Sequence, residues 1–409
     1  MIAFEPATFE PASFEPGSLI EIEDPYPVFA ALREAAPVLP LANGFIAVTG
    51  YEAADAVFRD GHFTSGLIAE RYRQALPPGA ARDELSHRIN FLDPPDHPRV
   101  RGLVSRAFTP GRVRDLRPWV EREAERLLDA LDALGREGTP VDLRHGFAHL
   151  LPSFVISELL GVPLADREQL TAWTEDVTPL LGVQVPPAAR ARALEASERF
   201  AAYASALLDE RRREPGDDLL TAFVAVEDGH ERLSREELLS LVVTLYSAGH
   251  RTTRDLFTNG LFTLLAHPDQ YRAIAADPAL APTAVNEMLR FQTPTLYVAR
   301  VAGDGASILG TDVPMWSPIL LFLAAANRDP SRFVDPDTFD ITRDEGAPLS
   351  FAFGAHHCLG ASLARMEAEV MLIAVTQRWP QLALADPPPA WWSSGPLRGV
   401  DHLFVDISS

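Results

Sequence analysis

The sequence predicts a single large domain, mainly α with small β-sheets. Apolar residues recur at helical spacing along most of the 409 residues, strand-like runs are few and short, and no stretch has the composition of a linker between two domains. A hydrophobic content of 47% with a mean hydropathy of -0.01 supplies enough apolar surface for a substantial core.

The first residues repeat Phe4-Glu5-Pro6, Phe9-Glu10-Pro11 and Phe14-Glu15-Pro16, too rich in proline for a helix. Residues 1–17 are therefore expected as an extended arm ahead of a domain spanning 18–409. Helical spacing predicts helices over Tyr26 to Ala35, Tyr51 to Arg59, Pro98 to Phe108, Pro118 to Leu134, Phe147 to Leu160 and Arg190 to Arg212. Phe45 to Thr49, Tyr297 to Val301 and Ile319 to Leu323 read as short strands. The longest helix opens at Ser234, whose hydroxyl can cap it while Glu237 reaches back, and stops near His267-Pro268 after about 50 Å. Leu238, Leu239, Leu241, Val242, Val243 and Leu245 make its first half apolar on nearly every face, which marks a helix through the middle of the protein. There Ala248-Gly249-His250-Arg251-Thr252-Thr253 breaks the pattern, since buried polar groups need partners and glycine weakens a helix by ~1 kcal/mol. It is either a tolerated kink or a groove where a ligand lies against the helix.

The net charge of -21 argues against nucleic acid as the main partner; all 36 basic residues other than histidine are arginines. No apolar run reaches 18 residues, and Met1 to Gly17 lacks a basic region followed by an apolar one, so a cytoplasmic protein is expected. The single cysteine, Cys358, rules out an intramolecular disulfide, a four-cysteine zinc site and a four-cysteine iron-sulfur cluster. Any redox role rests on Cys358 or on a bound cofactor.

A lone buried cysteine is more often inert core than ligand, but its neighbours here favour a ligand. The sequence runs Phe351-Ala352-Phe353-Gly354-Ala355-His356-His357-Cys358-Leu359-Gly360-Ala361, followed by a helix from Ser362 to about Arg378. Amide dipoles at a helix N-terminus favour a thiolate. Gly354 and Gly360 allow the backbone close to a flat cofactor, and Phe351 can shield the sulfur from water.

This loop resembles the haem-binding loop of the bacterial cytochromes P-450: Phe, a small residue, any, Gly, any, His or Arg, any, Cys, any, Gly. Four further matches fall in order: Glu287-Met288-Leu289-Arg290, an ion pair that is buried in the family and an ordinary surface pair elsewhere; the segment Ala248 to Thr253, similar to the oxygen-binding stretch; Ala325-Ala326-Asn327-Arg328-Asp329-Pro330 with Phe333, Pro336 and Phe339, similar to the meander; and His97 with Arg101, four apart, plus Arg300, resembling groups that bind haem propionates. With His356, four basic donors would converge on two carboxylates. The resemblance implies haem b (iron protoporphyrin IX) lying between the long helix and the Cys loop, held by Cys358 on the metal and by His97, Arg101, Arg300, Phe351, Gly354, His356 and Gly360. It also implies catalysis around Thr252, Arg251, Ala248 and Gly249.

The chain departs from the family at Arg251, where an acid usually relays protons. Three readings stand open: Arg251 pairs with Asp255 one turn on; it faces the pocket and binds a substrate carboxylate, as in peroxide-using members; or protons travel through water and Thr252. At Thr338 the family often has an arginine completing an ion triad, so the Glu287–Arg290 pair must be satisfied otherwise.

The resemblance implies a monooxygenase using dioxygen, with hydroxylation as its default outcome and coupling or desaturation as alternatives. Electrons must come from elsewhere, since no flavin or nicotinamide fingerprint is present, so a ferredoxin and its reductase are implied. Arg99, Arg101, Arg106, Arg112, Arg114 and Arg117 form a basic stretch, either a solvated face or a docking patch for an acidic ferredoxin. Phe63, Leu67, Tyr72, Leu296, Tyr297 and Trp392, with few charges besides Arg71 and Arg73, suggest an apolar or aromatic substrate of bacterial secondary metabolism. A haem sensor or carrier, and an interaction protein with an inert cysteine, are the rival classes.

Overall fold

In the computed structural model, which describes residues 9–105, 108–135, 138–227 and 233–407, one helix organises the rest. It spans Arg235–Leu265 and starts with a complete capping box: the Ser234 hydroxyl accepts the Glu237 N–H at 3.2 Å, and the Glu237 carboxylate accepts the Ser234 N–H at 2.8 Å. Its apolar first half is buried except for Leu239, which is half-exposed, and it packs on the helices Leu150–Leu160, Ala281–Phe291 and Ala361–Arg378. Most of its length is thus enclosed, unlike an amphipathic surface helix, with Ala248 among the few exposed positions.

The helices Tyr26–Ala35 and Tyr51–Arg59 form as their spacing predicts, and neighbouring ones form as Asp96–Ser105 and Pro187–Arg213. One helix begins at Pro110 instead of Pro118 and runs to Gly135 with Pro118 inside it. A proline there removes one backbone bond, but Val113, Val120, Ala124, Leu127 and Leu131 all bury in the largest apolar cluster and hold the turn before it. Ahead of Leu150–Leu160 the chain makes a π-helical turn over Arg144–Ala148, which an apolar pattern of ordinary helical period does not disclose. Residues 11–20 are not extended: Pro11–Ser13 and Pro16–Ile20 are 3-10 turns, because Phe14 and Leu19 bury in a core cluster and fold the prolines around them.

The main sheet has five short strands in the order Val38–Pro40, Ile46–Val48, Pro318–Leu321, Val298–Ala302, Phe63–Thr64; only the second and third run parallel. A hairpin, Trp391–Ser394 with Leu397–Val400, lies against the central helix. A Cβ on Gly399 would stand 2.9 Å from both Asp255 Oδ1 and Trp392 Cζ2, so only glycine allows this approach. Among the described residues no helix is long and apolar enough to cross a membrane.

Candidate functional site

The Cys loop is held from within and from below. The Cys358 N–H donates to Phe351 O at 2.9 Å, and Gly354 takes a φ of +72° where a Cβ would fall 2.1 Å from Phe58 O, so that position demands glycine. The following helix begins at Ala361, and Arg365 from its first turn lies 4.5 Å from the Phe351 ring centre. Cys358 is accessible, yet burial pushes its thiol pKa up, against the opposing pull of the Gly360 N–H, Arg101 and Arg365. The residue is thus open to solvent while its thiol is held in surroundings that disfavour charge. Burial thus outweighs the helix-start dipole, which alone would have favoured a thiolate. Nothing lies within 4 Å of where a Gly360 Cβ would point, so that side of the loop is open.

The central helix presents a second accessible patch. Ala248 is exposed and Thr252 half-buried, while Tyr246, His250, Arg251 and Thr253 around them are buried. The Thr252 hydroxyl donates to Ala248 O at 2.6 Å, a bond to the preceding turn that bends helices. Gly249, between them, is half-buried, and a Cβ there would meet Ile156 at 3.0 Å, so a side chain would crowd the neighbouring helix.

His97 and His356 come together with ring centres 4.0 Å apart. Burial, with Arg300 and His97 next in effect, depresses the His356 pKa to about 3; burial and Arg101 lower that of His97, whose Nε2 has no partner. Arg300 is buried, with a pKa lowered by desolvation to about 10 and only Asp93 attracting it, and Arg101 donates to His357 O at 2.6 Å. Four basic donors thus gather without a matching set of carboxylates. That chemistry fits an anionic group with two carboxylates.

The Glu287–Arg290 pair is buried at 2.7 and 2.8 Å. With Thr338 in place of an arginine, the pair is completed by Arg343, 3.4 Å from the Glu287 carboxylate, and by carbonyls of Asn327, Pro336 and Thr338 that accept from Arg290.

Arg251 is not paired with Asp255. That carboxylate takes Arg254 instead, at 2.7 and 3.2 Å, and Arg254 also holds the half-exposed Glu175 at 2.8 Å. Arg251 lies 4.9 Å from the Trp392 ring centre, its Nε unpartnered, 5% exposed, with a pKa lowered by burial, then by Arg254, to about 10. Trp392 is fixed by donating to Val400 O at 2.9 Å. Sequence reasoning missed Arg254, Glu175, Arg343 and Arg365; only Arg365, on the helix that follows the cysteine, carried a positional signal.

A cavity of about 350 Å³ opens along the same helix, lined by Leu85, Leu180, Leu239 and Val243 with Glu84 and Glu198. Val243 precedes Ala248 by ~7.5 Å of helix. Of the side chains expected at the pocket, Phe63, Leu296 and Tyr297 belong to core clusters, Arg71 is exposed, and Arg73 is bound to Glu70 and Ser86 O. The lining is more acidic than the sequence suggested. Of the basic stretch, Arg99 is bound to Asp96 and Glu237, Arg117 to Glu121 and Glu369, Arg112 and Arg114 are exposed, and Arg106 lies outside the described residues.

A mainly helical fold with a single cysteine ahead of a helix, a buried central helix and a cluster of basic donors is the arrangement expected of a haem-thiolate protein. The model for the family "Cytochrome P450" matches residues 23–277 and 279–387. Cytochrome P450 monooxygenase PikC of Streptomyces venezuelae is 39% identical over 389 residues, covering 93% of this chain and 90% of that protein. The 6-deoxyerythronolide B hydroxylase of Saccharopolyspora erythraea is 39% identical over 398 residues, covering 94% and 96%. The crystal structure of CalO2 superposes with a TM-score of 0.89 at 32% identity, covering 97% of this chain and 99% of that one. The chain belongs to the cytochrome P450 family. It is a bacterial P450 monooxygenase, an oxidoreductase with haem as its cofactor.

Proposed function

We propose that the chain is a cytoplasmic haem-thiolate enzyme that hydroxylates an apolar or aromatic small molecule of bacterial secondary metabolism, using dioxygen and electrons from a ferredoxin and its reductase. One observation supports the thiolate assignment: the only cysteine is exposed, and the basic donors His97, Arg101, Arg300 and His356 gather beside its loop without matching carboxylates. Iron protoporphyrin IX has the two carboxylates that such a set would bind, and Cys358 would hold its metal. Haem bound there supplies the binding and reductive activation of dioxygen.

The remaining chemistry belongs to the chain. Ligation takes the proton from Cys358, and Arg101 and Arg365 favour the resulting anion. Thr252 can hold or pass a proton at Oγ1 once its hydroxyl turns from Ala248 O. Arg251, with a pKa of about 10, keeps its proton at neutral pH and cannot act as an acid there, so the proton comes through water to Thr252. The exposed Arg112 and Arg114 supply the charge that an acidic ferredoxin would meet. The relatives named as a monooxygenase and a 6-deoxyerythronolide B hydroxylase support the substrate class.

A reduced, carbon monoxide-treated sample should show a red-shifted thiolate Soret band, and ferredoxin with reductase should support steady product formation. Cys358→Ser should lose both; retention of spectrum and turnover would overturn the assignment.

A second reading is favoured by Arg251 itself, which has no carboxylate partner: the guanidinium on Trp392 would receive a substrate carboxylate. A long-chain fatty acid should then shift the Soret band of the wild type, and Arg251→Ala should weaken that binding about tenfold or more.

A further inference from the structure

Two of the three Phe-Glu-Pro repeats fall among the described residues, and they are built into the protein. Phe14 is 4% exposed and meets Phe9 and Phe322 edge-on, each with ring centres 6.2 Å apart; Phe322 in turn lies 5.8 Å from Tyr297. The same apolar cluster takes in Val183, just after the 3-10 turn Thr178–Leu181. Hydrogen bonds tie the segment down: the Ala42 N–H donates to Ala12 O at 2.7 Å, and the Asn43 amide donates to Phe14 O at 3.2 Å and to the Glu15 carboxylate at 3.0 Å. At its other end Glu23 O accepts from Arg398 of the hairpin.

This segment packs on the loop that carries a cavity-lining residue. A Cβ on Gly17 would stand 2.7 Å from Gln184 Cδ, so no space separates the two chains there. Leu180 of the same loop lines the cavity, and its carbonyl accepts the Tyr72 hydroxyl at 3.0 Å. Gly182 lies against Gly395 in the hairpin turn, where a Cβ would meet the Gly395 Cα at 3.0 Å. Loop 178–184 thus lends Leu180 to the cavity, and Val183 and Gln184 to the Phe-Glu-Pro segment and its apolar cluster. Its bond to Tyr72 is a single hydrogen bond, easily broken; the apolar cluster around Phe14 is the larger restraint.

We propose that residues 9–23 form a strap that positions this wall, with Phe14 as its anchor, and that the strap sets how readily bulky molecules pass loop 178–184 to reach the site. The proposal rests on the haem-thiolate reading above. Phe14 and Asn43 are positioning residues and touch no substrate.

The test uses the full-length, haem-loaded chain and follows two ligands at the Soret band by stopped flow: bulky 4-phenylimidazole with the ferric protein, and carbon monoxide with the reduced one. Phe14→Ala should speed 4-phenylimidazole association about fivefold or more and the exposed Asn43→Ala about twofold, while carbon monoxide association stays within about twofold of wild type and Phe14→Leu restores the slow rate. The Asn43 variant keeps the test decisive should Phe14→Ala not fold. Equal acceleration of both ligands, or unchanged 4-phenylimidazole association in the folded variants, would overturn the strap. Lack of a thiolate Soret band in the wild type would instead remove the underlying reading.

Discussion

Arg290 and Glu287 are both within 2% of full burial, and their charges persist only because each is bonded several times over. Removing one partner from such a pair leaves an uncompensated charge, at a cost of about 3–5 kcal/mol. Glu287→Gln should therefore lower the urea midpoint steeply or prevent folding, whereas Arg343→Ala, which leaves the central pair intact, should cost about 1–2 kcal/mol by the same measurement. Arg251 gives a functional prediction. Arg251→Glu places a carboxylate near Glu175 and restores an acid beside Thr252, and the share of reducing equivalents recovered in product should change at least about twofold when product and peroxide are both measured. The Glu-x-x-Arg pair was legible because two residues three apart share a helix face. Arg343 was not, since it arrives from another segment, and neither was Asp255's choice of Arg254 over Arg251, since both guanidiniums lie over Trp392 and only Arg254 reaches the carboxylate and Glu175 as well.

At the level of elements, the central helix was readable to within two residues because its capping box and continuous apolar half are local signals. The π-helical turn Arg144–Ala148 was not, and it brings His149 into contact with the helix: His250 Nε2 lies 3.0 Å from His149 O, and the two rings are 4.6 Å apart. Burial, then Arg254, lowers the His149 pKa to about 4; burial, then His149, holds that of His250 well below its ordinary value. Below the unfolded value of about 6.5 the unfolded chain binds protons that the folded one refuses, so stability falls as pH drops from about 6.5 toward 4. His149→Asn should flatten that slope by up to about one proton in urea unfolding across this range. A separate strain sits in the loop after Val301, where Trp316 holds a φ of +73° while 60% exposed. Trp316→Gly relieves it and should raise stability by about 1 kcal/mol at the urea midpoint.

At the scale of the whole molecule, the class of fold followed from composition and periodicity, but the sheet did not. Ile46–Val48 pairs in parallel with Pro318–Leu321 across most of the chain, and no local pattern specifies such a partner. The exposed basic charge is likewise a property of the assembled surface: of the basic stretch, Arg99 and Arg117 are drawn into ion pairs, which leaves Arg112 and Arg114 exposed. Arg112→Glu with Arg114→Glu should slow reduction by an acidic ferredoxin several-fold at low ionic strength. Around 0.5 M salt, where the screening length is only a few ångströms, stopped-flow rates of variant and wild type should converge.

Arg343 has a bearing on how other chains are searched. Its guanidinium reaches Glu287 from five positions beyond Thr338, so a pattern with fixed spacing would score this meander as broken although the buried charge is balanced. For conserved ion networks, the invariant is the place in space where a cation arrives, and a homologue can supply it from a different rung of the chain. Surveys that discard sequences over one missing letter will therefore lose working enzymes.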